Sequence, residues 1–161
     1  MTHRTLNDLA RRLLLCGALF AAGAPALAQT PAGEMHAGIV KSVRGDVQLF
    51  GTDGTTRLAR SGDRVGEVDR IETGADSAAS VVLRDGTAIV VGPSSRLDIK
   101  QFHFDATTQD GGLLVSLLRG SLRMITGLIG KTNPDAVRVD TQTATIGIRG
   151  TDFIVQADPL P

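Results

Sequence analysis

Neither tryptophan nor tyrosine occurs in the chain, phenylalanine occurs five times, and the single cysteine is Cys16. A surface without Trp or Tyr offers no stacking platform for nucleobases or sugar rings. Histidine is nearly as scarce: beyond His3 there are only His36 and His103. A zinc centre draws on three or four Cys and His ligands at short spacings, and these residues cannot supply one. A hydrolytic triad needs a nucleophile, a base and an orienting acid within reach of one another. His36 sits in a small polar stretch, and His103 lies in "QFHFD", where strand alternation turns it away from the face on which Phe102 and Phe104 pack. No serine-base-acid motif surrounds either, so no catalytic residue is assigned and the chain is read as a non-enzyme. Asp63, Glu67, Asp69, Glu72 and Asp76 lack the alternating oxygen pattern of a calcium loop and read as a solvated acidic face with turn-capping aspartates. No metal and no cofactor is expected.

An excess of either charge is missing too. Lysine plus arginine and aspartate plus glutamate number 17 each among 161 residues. Residues 1–28 hold three of the bases (Arg4, Arg11, Arg12) and one of the acids (Asp8), so the remainder is acid-rich by two. That is no footprint for nucleic acid. The same first 28 residues run from a basic start through "LLLCGALFAAGAPALA" to Ala26-Leu27-Ala28, the order of a cleavable signal peptide with cleavage before Gln29. An uncleaved span would need about 20 unbroken apolar residues, and Gly17, Gly23 and Pro25 interrupt this one. "RRLLL" also suits a twin-arginine signal, although a plain basic n-region accounts for it with fewer assumptions. Leu15 before Cys16 argues against lipidation. The mature chain then has no thiol, hence no internal disulfide, and no transmembrane segment. Export to the periplasm is the expectation, with secretion or cell-surface association as the alternative.

Residues 29–37 read as a flexible lead-in. After them, apolar runs of about four to eight residues are separated by glycine or Asp-Gly, the length and punctuation of short strands. "RDGT" (Arg84–Thr87) carries a dipeptide that tolerates the positive φ of tight hairpins, and "VGPSS" (Val91–Ser95) places a proline where a central strand cannot continue. Together they predict an all-β fold, an antiparallel-rich sandwich or β-roll of many short strands. "LLVSLLRGSLRMITGLIG" is the ambiguous segment. Its leucines and isoleucines follow helical spacing, but Gly120 and Gly127 would each cost a helix about 1 kcal/mol relative to Ala. Two strands turning at Arg119-Gly120 are the favoured reading, a helix over 113–130 the alternative, with room for a helical turn between Gly127 and Asn133. Arg44-Gly45-Asp46 spells an adhesion tripeptide but marks a strand-turn-strand junction.

"TATIGIRGTDFIVQ" (Thr143–Gln156) is the most patterned stretch. A phosphate loop needs backbone donors converging at a helix N-terminus, and no long helix can follow within "TDFIVQADPLP". What remains is a closing hairpin: a strand Thr143–Ile148, a tight Arg149-Gly150 turn with Thr151, and a second strand Asp152–Gln156, with Ile146, Ile148 and Phe153 entering the core. If Gly150 holds positive φ, Gly150→Val should destabilise the fold by more than about 1 kcal/mol.

The ordered succession "GIVKSVRGDVQL", "I-x-T-G", "L-x-D-G-T", "G-P-S-S", "L-x-x-G-S-L-R" and "T-x-x-A-x-x-G-I-R-G-T-x-F" resembles the FecR domain of bacterial envelope proteins, from about Gly38 to Gln156. Gly86, Gly92, Pro93, Gly120, Gly147, Arg149, Gly150, Thr151 and Phe153 carry that motif and are expected to serve structure. The resemblance implies a FecR-like all-β domain over 38–156, followed by a tail 157–161, acting as a non-catalytic protein- or envelope-binding module. The expected partner is a protein of the cell envelope, and no ligand residues are assigned. The alternative role is a sensor or regulatory component of iron-uptake surface signalling (sigma/anti-sigma) working with a separate membrane protein, since the family's membrane helix and cytoplasmic segment have no counterpart here. Relatives often add strands after "G-T-x-F", so an open edge is expected at the last strand.

Overall fold

The computed structural model describes residues 36–158. The signal-peptide reading, with Ala26 and Ala28, lies outside the described residues, as do residues 159–161. The described chain is all-β, mostly antiparallel, and curls into a half-barrel of short strands: β1 (His36–Arg44), β2 (Val47–Phe50), β3 (Thr56–Leu58), β4 (Arg64–Gly66), β5 (Arg70–Thr73), β6 (Ala78–Leu83), β7 (Ala88–Val91), β8 (Arg96–Phe104), β9 (Gly111–Ile125), β10 (Val137–Thr141), β11 (Thr145–Gly147) and β12 (Asp152–Ala157). A short helix, α1 (Leu128–Thr132), and a 3-10 turn at Pro134–Ala136 link β9 to β10. β1 begins at His36, inside the stretch read as a lead-in, because Ala37 is fully buried and its carbonyl accepts the Arg84 amide at 2.8 Å. β12 likewise runs one residue further than expected, through Ala157.

The strands form two sheets that share β9. One runs β4-β1-β6-β7-β9-β12 and the other β3-β2-β5-β8-β9-β10-β11. Among the described residues only β9 and β10 pair in parallel. Residues facing between the sheets are apolar and alternate with outward ones, as in the buried Ala79, Val81 and Leu83 of β6. Burying each such valine, isoleucine or leucine contributes about 1.5–3 kcal/mol. The fully buried Leu49, Ile71, Leu97, Ile99, Leu117 and Met124 belong to one core that draws on both sheets.

The segment 113–130 corrects the sequence reading. Leu113 to Ile125 is neither a helix nor two strands turning at Arg119-Gly120 but most of one 15-residue strand. Residues Gly111 to Arg119 pair with β8 and Leu122 to Ile125 with β7, so the strand leaves one sheet and enters the other across Gly120. Gly120 has φ +88°, and a Cβ there would lie 2.1 Å from Ser95 Oγ and 2.6 Å from Ser95 Cα. The positive φ bends the strand without reversing it. The helical spacing arises because residues on both faces of the first half, Gly111 to Leu118, are buried or half-buried, which erases the two-residue alternation. The helical turn allowed between Gly127 and Asn133 is α1.

The predicted turns form as their residues require. Gly86 has φ +84° between β6 and β7, and the buried Asp85 carboxylate accepts the Thr87 amide at 3.0 Å and its hydroxyl at 2.6 Å. Thr87 Oγ1 in turn accepts the Gly127 amide at 2.9 Å, tying the hairpin to the start of α1. Gly45 of the adhesion-like tripeptide sits at φ +70° in the β1–β2 turn, where the Asp46 amide donates to Ser77 Oγ.

Gly120→Ala should destabilise the domain by about 2–4 kcal/mol, through backbone strain and the clash with Ser95. Thermal or denaturant unfolding of the variant checks this, and a wild-type midpoint would refute the bend as the constraint.

Candidate functional site

The motif residues separate into two groups. Gly86, Gly92, Pro93 and Gly120 lie at turns and at the bend of β9, Gly92 and Gly120 half-buried, Gly86 and Pro93 exposed. Gly92 and Pro93 form the corner between β7 and β8, where the Gly92 amide donates to Ser121 O at 2.9 Å and a Cβ on Gly92 would fall 2.0 Å from Ser121 Oγ. Ser95 Oγ accepts the Ser121 amide at 2.9 Å, and Thr73 Oγ1 donates to Gly92 O at 2.6 Å while accepting the Ser95 amide at 2.9 Å.

Gly147, Arg149, Gly150 and Thr151 form the second group and are exposed. The expected closing hairpin does not exist: β11 pairs with β10 and β12 with β9, so the two strands lie in different sheets. The first of them is also shorter than the expected Thr143–Ile148. Gly150 is not at positive φ and a Cβ there would meet nothing, so the expected penalty for Gly150→Val has no basis. The expectation failed because residues 148–151 carry the chain between sheets and need no tight reversal. Ile148 is buried, and Ile146 and Phe153 pack half-buried against the core, as expected.

The expected open edge is present. Among the described residues β12 pairs with β9 alone, in the register Asp152↔Ile125 to Ala157↔Gly120. The Thr126 amide donates to Thr151 O at 2.9 Å, which continues that register and fixes its phase. Phe153, Val155 and Ala157 therefore turn their backbone groups toward β9, while those of Asp152, Ile154 and Gln156 point to the open side. Ile154, 67% exposed, is the most exposed large apolar side chain of the described residues. Beside this edge lies an open groove of about 440 Å³ lined by Ile146, Ile148, Arg149, Phe153, Ile154 and Val155.

Charge is sparse there. Arg123 Nε and Nη2 donate to the two Asp152 carboxylate oxygens at 3.0 and 2.6 Å, and these hydrogen bonds hold the Asp152 carboxyl below the usual carboxylate range. The Arg149 side chain is 86% exposed and reaches Asp135 only at 4.0 Å. Sequence reasoning did not single out Ile154. Its signal was the alternation Phe153-in, Ile154-out that follows once the strand's inward face is known.

No chemistry-bearing cluster competes with this site among the described residues. No group of three His, Cys, Asp or Glu could hold a metal, and no helix is long and apolar enough to cross a membrane. Of the acidic face, Asp63 and Asp69 cap turns, accepting the Arg60 and Gly66 amides at 2.8 and 2.7 Å, while Glu67 pairs with Arg84 and Glu72 with Arg96. His103 is exposed on β8, on the face opposite the buried Phe102, with Gln101 Nε2 3.3 Å from its Nδ1. The buried carboxylate with cationic partners is Asp98, unflagged by sequence because Arg70 is distant in the chain. Arg70 grips it in a fork at 2.6 and 3.0 Å and Lys100 adds a bond of 2.9 Å. Burial pushes the Asp98 carboxyl up, but the Arg70 and Lys100 hydrogen bonds outweigh it and leave it below its ordinary value of 3.8.

The geometry describes a small all-β module with an internally braced bend and, among the described residues, one six-residue strand edge left bare. The FecR protein family model matches residues 69–159, more than half of the chain, and the chain belongs to that family. The matched segment starts later than Gly38, so β1 to β4 precede it. A solved structure described as a cell surface anchoring domain is similar at 24% identity, covering 39% of this chain and 83% of its own, with a TM-score of 0.38. No curated protein matches the sequence.

Because the folded Asp98 carboxyl titrates below its unfolded value, the stability it contributes is present above about pH 4 and is lost as pH falls through the lower folded value. Asp98→Asn should cost about 1.5–3 kcal/mol at neutral pH. The gap from wild type should narrow on acidification below about pH 4. Denaturant titrations of both proteins on either side of that pH check the sign.

Proposed function

We propose that this FecR-family chain is an exported, non-catalytic binding module that docks a protein of the cell envelope through the β11–β12 end of its fold. The observation that carries the reading is the edge of β12, unpaired among the described residues, beside the apolar groove. An exposed edge presents backbone donors and acceptors in a row, and strand addition uses them for affinity while neighbouring pockets select side chains. Family membership supports a regulatory or surface role, and the leader-like residues 1–28 support export. Gly147 and Gly150 fit the same reading. Neither is at positive φ and neither would clash as alanine, so the chain's own fold does not call for glycine there. Their bare backbone leaves room for another chain to come close.

A photo-crosslinking amino acid placed at Ile154 or Arg149, compared with one at the exposed Lys41 on β1, tests the reading in intact envelopes. Discrete protein adducts at Ile154 and Arg149 but not at Lys41 are expected. Equal or no adducts at the three positions would overturn it.

A further inference from the structure

The occupant of the β12 edge can be named from the edge itself. Among the described residues, three of the four outer strands are guarded against pairing. β3, β4 and β11 are each three residues long. β3 and β4 are further closed by Arg57, whose guanidinium donates to the Arg64 carbonyl. β12 has six residues, no proline, no lysine and no register shift. Its one charge, Asp152, is held over β9 by Arg123. Short strands, charges, prolines and bulges are the usual devices that stop edges from pairing, and β12 has none of them in effect.

We propose that β12 pairs antiparallel with β12 of a second copy, forming a two-fold dimer with a sheet continuous across the molecules. This rests on the reading of the β12 edge as the docking edge. The outward residues Asp152, Ile154 and Gln156 fix the register: all three find partners only when Ile154 faces Ile154, with Asp152 opposite Gln156, each pair exchanging both backbone bonds. That register opposes no like charges. Ile154 meets Ile154 and covers the most exposed large apolar side chain of the described residues, Phe153 meets Val155, and Gln156 lies opposite Asp152, whose carboxylate stays on Arg123. Beyond the strand, the same register brings Asp158 opposite Gly150 of the second copy. A two-fold axis repeats each contact, so one self-complementary strand makes a closed dimer. The interface is small, and its Kd is expected on the order of micromolar.

Sedimentation equilibrium on the full chain tests the proposal. A monomer–dimer equilibrium is expected for wild type, and it should be lost in Ile154→Lys and in Ile154→Pro with the circular dichroism spectrum unchanged. In a Cys16→Ser background, Ile154→Cys should oxidise to a covalent dimer and Lys41→Cys should not. A wild-type chain monomeric to millimolar concentration would overturn the proposal, as would a dimer that survives Ile154→Lys. A dimer lost in Ile154→Lys, with no covalent dimer from the Ile154→Cys variant, would overturn the register. A monomeric chain that still gives envelope adducts at Ile154 refutes self-pairing alone and leaves the docking module standing, whereas loss of both refutes the two together.

Discussion

Everything in this fold hangs on one bent strand. β9 is central to both sheets, and a strand can serve two sheets only if it changes direction without breaking its ladder. Gly120 at φ +88° supplies the change of direction, and its missing Cβ lets Ser95 come close enough for Ser95 Oγ to accept the Ser121 amide. A matching corner, Gly92 to Ser95, turns β7 into β8 alongside it, and Thr73 Oγ1 stitches that corner from the end of β5. The buried polar groups of the bend are thus satisfied by one another, which is the condition for placing a strand corner inside a core. The apolar residues of the two sheets then meet across one interior.

That dependence orders the rest of the molecule. Once the sheets diverge at Gly120, β10 flanks the first half of β9 and β12 the second. β11 adds to β10, and its chain neighbour β12 is carried to the other sheet, so two strands adjacent in sequence each end as an edge. The open groove between them follows from the bend and is not an independent feature. The Asp85–Thr87–Gly127 bonds anchor the C-terminal end of β9 through α1, next to the point where the Thr126 amide holds Thr151 at the start of β12.

The strands and most turns were legible in the sequence because they rest on local chemistry. Asp-Gly at Asp85-Gly86 and Gly-Pro at Gly92-Pro93 act within a few residues, and alternation around Val47 and Leu49 or Val137 and Val139 reports a single face. What was misread depends on distant partners. Arg119-Gly120 has the composition of a hairpin turn, and only the pairing of both halves of β9 with β8 and β7 shows that it is a bend. "GIRGT" has the same composition, and only the registers of β11 and β12 show that they never meet. The Arg70–Asp98 pair was invisible for a like reason, since β5 and β8 become neighbours only in the folded sheet. Of the candidate site, the open edge was legible from the family pattern, while Ile154 and the groove required knowing which face of β12 turns outward.

The two kinds of glycine make the argument for interaction from inside the fold. Where this chain needs glycine for itself, the need is visible as positive φ or as backbone already occupying the place of a Cβ, as at Gly86, Gly120 and Gly127. Gly147 and Gly150 show neither sign, yet they border the longest bare edge of the described fold. Glycine in an exposed segment costs conformational entropy on folding, so its presence there is uncompensated within the monomer. Close approach of a second backbone along β12 would supply the compensation, and the same approach would cover Ile154 and satisfy the outward amides and carbonyls of Asp152, Ile154 and Gln156. A single contact thus accounts for three separate features that the isolated chain leaves without one.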